Sequence, residues 1–135
     1  MNVQPVPAAK MKRWRREAGY CLRHLDERKA LSFSSFADLR AVQQLARERH
    51  QDVYEREGLT LQEIFRDRCA RFLADFAGTR EAGVLEPVLR GGAVADLAQP
   101  WGMHRSQIHR RYWQPVLDYF VYELWKLERR EKPAA

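Results

Sequence analysis

The chain has 135 residues, 45% of them hydrophobic, which is enough for one compact core or two small helical lobes. Lys and Arg number 24 against 18 Asp and Glu, a net charge of +6 that points to a polyanionic partner, because phosphates attract clustered cations. No apolar run is long enough to span a bilayer, and no apolar segment follows the basic residues near the amino terminus as a signal peptide requires. A cytoplasmic protein without contact to a membrane is expected.

Residues 1–9, with Pro5 and Pro7, read as a frayed tail ahead of a helical region over 10–78. From Lys10, the residues Met11, Trp14, Ala18, Cys21, Leu22 and Leu25 recur at three- and four-residue steps and form one apolar stripe. Lys12, Arg13, Arg15, Arg16 and Arg23 lie opposite it, and Gly19 weakens this helix without ending it. The run Leu31 to Ser35 is a break, with Ser34 or Ser35 as the cap of a second helix that carries Phe36, Leu39, Val42, Leu45 and Ala46, then Val53 and Tyr54. Gly58 reads as its stop. Thr60-Leu61-Gln62-Glu63 matches a capping box, in which Thr60 and Glu63 satisfy free backbone donors. Leu61, Ile64, Phe65, Cys69, Phe72, Leu73 and Phe76 then give the cleanest amphipathic stripe, a helix expected to be central to the core. Gly78 ends it and Thr79 caps the next helix. Cys21 and Cys69 have neither metal-clip nor CxxC spacing and are expected as buried thiols. No strand-like alternation appears, so the predicted fold is all-α.

Residues 79–131 form the second region, and within it 80–113 divide into three short helices by their punctuation. Gly91-Gly92 separates the first from the second, and Pro100 to Met103 the second from the third. Val94, Leu97 and Ala98 turn one face of the second helix to the core. Gly102 suits a tight left-handed turn. Met103, Ile108 and Tyr112 anchor the third helix, which starts near His104. His104, Arg105, Ser106, Gln107, His109 and Arg110 are left outward, and these are groups that hydrogen-bond base edges and phosphates. Two features are unusual: Pro100 falls in the last turn of the second helix, and Arg111 stands where an apolar residue is common, with Tyr112 beside it to pack instead.

The segment GGAVADLAQPWGMHRSQIHRRYW resembles the helix-turn-helix units of homeodomain-like bacterial regulators, resolvase DNA-binding domains and sigma-factor region 4. The resemblance covers about a quarter of the chain. It implies that Arg105, Ser106, His109 and Arg110 face DNA, with Gln107 in reach.

Beyond this unit, Pro115 is expected to open or kink a long final helix carrying Val116, Leu117, Phe120, Val121, Leu124 and Leu127, broadened by Tyr119, Tyr122 and Trp125. It packs on the helix of Thr60 or forms a homodimer seam; spacing does not separate the two. Lys12, Arg13 and Arg16, near Trp14, make a second basic cluster that either grips the DNA backbone or faces solvent. Motifs for catalysis are missing: no phosphate-binding glycine loop, no nucleophile elbow, and no histidine pair at the spacing that sets two metal ligands on one helix face. No cofactor, metal or enzymatic activity is expected. The leading expectation is a sequence-specific binder of double-stranded DNA, a small transcription regulator of bacterial or phage type. The alternative is a helical interaction subunit of a polymerase, transposition or defence assembly, docking through Tyr119, Phe120, Tyr122 and Trp125. The DNA-binding portion of a recombinase is a third reading.

Overall fold

Helix α1 (Ala8–Arg23) begins where the Pro7 carbonyl accepts the N–H groups of Lys10 and Met11, at 2.9 and 3.0 Å. The start lies two residues ahead of Lys10, and Val6 before it is buried. The computed structural model describes residues 6–25, 35–49 and 56–131. The first five residues of the expected tail, the break from Leu31 to Ser34, and Val53 and Tyr54 lie outside them. Along α1 the stripe is as predicted: Trp14, Ala18, Cys21 and Leu22 are buried, with Leu25 just beyond. Gly19 is passed without a break.

A 3₁₀ turn (Ser35–Asp38) leads into α2 (Arg40–Arg49), whose Ala41, Val42 and Ala46 are buried together with Phe36 of the turn. Helix α3 (Arg56–Asp75) departs from expectation at its start, since it runs through both Gly58 and Thr60. Thr60 is fully buried inside the helix, and its hydroxyl has no hydrogen-bond partner among the described residues, so it caps nothing. The local cap signal loses to packing here. A helix-interior glycine costs about 1 kcal/mol, less than burying Leu61 and Phe65 against neighbouring elements returns.

After Gly78, Thr79 caps α4 (Arg80–Leu89) as predicted, its hydroxyl oxygen accepting from the Ala82 N–H. A second 3₁₀ turn (Val94–Leu97) runs into α5 (Ala98–Trp101), then α6 (Arg105–Ile108). From there the chain stays helical through a π turn (His109–Trp113) into α7 (Gln114–Glu131). Pro115 therefore does not open a separate helix. In a regular helix its ring would press on the carbonyl four residues back, and it has no N–H to offer. The wider turn just before it accommodates this, with the Gln114 N–H donating to the His109 carbonyl five residues back.

Helix α7 is the strut on which the rest is assembled. Val116, Phe120, Val121 and Leu124 are almost wholly buried. Phe120 stacks on Phe65 of α3 with centroids 5.4 Å apart and planes 10° from parallel, as the packing on the helix of Thr60 requires. Its more extensive contacts, though, are with α1 and α2. Trp125 meets Trp14 edge-on at 6.0 Å, and the Glu128 carboxylate accepts the Ala41 N–H in the first turn of α2. One contiguous apolar core thus draws on α1, α2, α3, α4 and α7, and both cysteines are buried in it. The fold is all-α: an N-terminal bundle, a trihelical segment and a long C-terminal helix. Among the described residues there is no strand, and no helix is long and apolar enough to cross a membrane.

Candidate nucleic-acid interface

The trihelical segment comprises α4, the short 94–101 element and α6. Pro100 lies inside α5, and with no N–H to give it leaves this second element as a 3₁₀ turn joined to a single α turn. The next turn is closed by Gly102 at φ +60°, ψ 33°. The Gly102 N–H donates to the Gln99 carbonyl and the Met103 N–H to the Ala98 carbonyl, at 3.1 and 3.0 Å. This is the double bond pattern that a left-handed residue permits after a helix. Trp101 is seated over Gly83 of α4, where a Cβ would stand only 3.2 Å from its ring. It also meets Tyr112 edge-on at 5.7 Å, and the Arg80 guanidinium lies over both rings at 5.3 and 5.6 Å. Tyr112 thus takes the packing role beside exposed Arg111.

His104 holds the first turn of α6. Its Nδ1 accepts the Ser106 N–H at 3.2 Å and lies 2.8 Å from the Ser106 hydroxyl. Sequence reasoning placed His104 among outward-facing readers; it is exposed, but one ring nitrogen is committed to the cap. Ile108 is fully buried and pins the helix from below. Arg105, Ser106, Gln107, His109 and Arg110 are exposed.

On one side these residues border a groove of about 590 Å³. Arg105, Ser106, His109 and Arg110 form one wall, residues 92–95 another, and Arg23 of α1 closes it, above an apolar floor of Val88 and Trp113. A second groove of about 390 Å³ shares Arg23, His109 and Trp113 and continues to Arg15 and Arg16. Of the second basic cluster, Arg16 alone is therefore joined to the first, through Arg23. Lys12 and Arg13 are exposed on α1 but line neither groove, and neither does Gln107.

Among the described residues, no carboxylate lines either groove. Arg15 is neutralised by Asp118 through bonds of 2.5 and 3.3 Å, whereas Arg16, Arg23, Arg105 and Arg110 make no ion pair among the described residues. The field falls on His109, whose pKa lies below the ordinary imidazole value because partial burial and then the Arg23 charge oppose protonation. Arg23 is the residue that the sequence-level site lacked. Its signal was present, since it stands seven residues beyond Arg16 and so on the same helix face.

The described residues hold no cluster of three or more His, Cys, Asp or Glu side chains suited to a metal ion. Comparisons with models of protein families, with curated proteins and with solved structures find no match to this chain.

Proposed function

We propose that this chain is a sequence-specific DNA-binding protein, a small transcription regulator of bacterial or phage type, whose trihelical segment works as a helix-turn-helix unit. The helix from Arg105 enters the major groove, Arg105 and Arg110 contact base edges or phosphates, and Ser106, Gln107 and His109 lie within reach of the same groove. The activity is binding in the cytoplasm, without catalysis or cofactor. One observation carries the reading: a left-handed turn at Gly102 leaves a helix face rich in arginine that, among the described residues, is unpaired and borders grooves lined by no acid.

The test is fluorescence anisotropy on duplexes recovered by selection, over a salt series. A bidentate arginine–guanine pair discriminates by about 1–3 kcal/mol, so Arg105→Ala/Arg110→Ala should lose at least about tenfold in affinity for the selected site. Equal binding by wild type and the double variant rejects the assignment of this helix.

The alternative, a docking subunit of a nucleoprotein assembly, draws on the aromatic residues of α7. Phe120 and Trp125 are spent in the protein's own core, which leaves Tyr122 with Phe76 as the exposed large apolar side chains among the described residues. Recovery of a large assembly in a pull-down, with no duplex binding by the pure protein, favours this second reading.

A further inference from the structure

We infer that the paired grooves between α1 and the helix from Arg105 form a clamp for the sugar-phosphate backbone, in which Arg16 and Arg23 take phosphates flanking the bases read by Arg105 and Arg110. The inference rests on the DNA-binding reading above and adds to it an element, α1, that lies outside the trihelical segment.

Four observations support the clamp. Arg16 and Arg23 are two helical turns apart on one face, about 10.5 Å along the axis of α1. Neither is neutralised among the described residues, in contrast to Arg15, which Asp118 of α7 holds. Gly19 lets the Arg23 side chain fold back against α1: a Cβ there would stand 3.3 Å from its Nη1. Finally, Arg23, Arg105 and Arg110 line one groove with no counter-charge among the described residues that line it, each on backbone fixed by buried neighbours such as Leu22 and Ile108. A phosphate placed there relieves their mutual repulsion, and guanidinium groups suit it by geometry as well as charge.

The test compares salt dependence on one selected duplex and on a scrambled one. Each neutralised phosphate contributes about 0.9 to the slope of log affinity against log salt, so Arg16→Gln/Arg23→Gln should lower the slope by about 1.8. Phosphate contacts carry no sequence information, so both duplexes should weaken by the same factor. The charge-matched control Lys12→Gln/Arg13→Gln, at positions outside the grooves, should lower the slope by less than half as much. Circular dichroism checks that each variant keeps its helix content. A slope for the groove variant equal to that of the control, with wild type still binding, overturns the clamp and leaves the reading helix standing. Adenosine monophosphate provides a further arm. Micromolar binding that the groove variant loses, with no change in its duplex salt slope, assigns the groove to small phosphate esters and overturns the backbone assignment. Failure of wild type to bind any duplex removes the DNA reading and the clamp with it.

Discussion

Substituting Gly102 by alanine isolates the backbone cost of the turn that orients the exposed helix. The residue sits at φ +60°, ψ 33°, and beyond its two chain neighbours no atom lies within 4 Å of where a Cβ would stand. Collision with the rest of the fold therefore contributes nothing, and the penalty is the local one for an L-residue in the left-handed region, about 1–2 kcal/mol. Alanine also narrows the unfolded ensemble, which returns about 0.4–1 kcal/mol. The net loss should be close to 1 kcal/mol. With a urea slope of about 2 kcal/mol per molar, the midpoint should fall by about 0.5 M at unchanged slope. Because the open surroundings let alanine keep the native geometry, duplex affinity measured well below the transition should stay within about twofold, a difference of about 0.4 kcal/mol. Replacement by D-alanine through chemical synthesis should raise the midpoint instead, since a D-residue favours positive φ. If L-alanine matches or exceeds glycine in stability, the cost assigned to the left-handed turn is wrong.

Thr60→Val removes a buried hydroxyl that has no partner among the described residues and keeps the shape, so thermal or urea unfolding should show a gain of about 1 kcal/mol; a loss of that size would restore the capping role. His109 has its pKa depressed, by burial first and by Arg23 second, and the groups around it are Arg15, Arg16 and Arg23 from α1 with Arg105 and Arg110 on its own helix. Its contribution to stability is therefore complete above the unfolded value near 6.5 and declines as pH falls through the window below it. A bound phosphate reverses the local charge, so duplex affinity at constant salt should rise as pH drops from about 7.5 to 5.5, by at most about tenfold per unit, and His109→Gln should flatten that rise.

The periodic residues made the helical fold readable from sequence. The stripe from Trp14 to Leu25, the buried set from Leu61 to Phe72, the cap at Thr79 and the turn at Gly102 all depend on local spacing and local backbone demands. What sequence misplaced depends on tertiary packing. Gly58 and Thr60 look like a boundary in isolation, yet full burial of Thr60 and Leu61 carries the helix past them. Pro115 looks like a helix start, yet the π turn ahead of it removes the conflict. At the candidate site, outward Arg105 and Arg110 followed from the pattern around Ile108. Arg23 did not, because only the packing of α1 beside α7 brings it next to His109. Trp14, placed in the apolar stripe and beside the basic cluster, is buried against Phe36, and Lys10 lies 5.8 Å over its ring.

Unbroken helix from Arg105 to Glu131 makes the cationic end a cantilever built into the hydrophobic interior. At about 1.5 Å per residue, a tilt of about 5° around the middle of α7 swings Arg105 through about 2 Å, enough to lose a hydrogen bond to a base edge. Conservative swaps beneath the rod, at Val121 or Leu124, should then retune target preference from a distance. On the proposed DNA-binding reading, the pocket-filling residues that keep this molecule folded would in the same stroke set the aim of its cationic end.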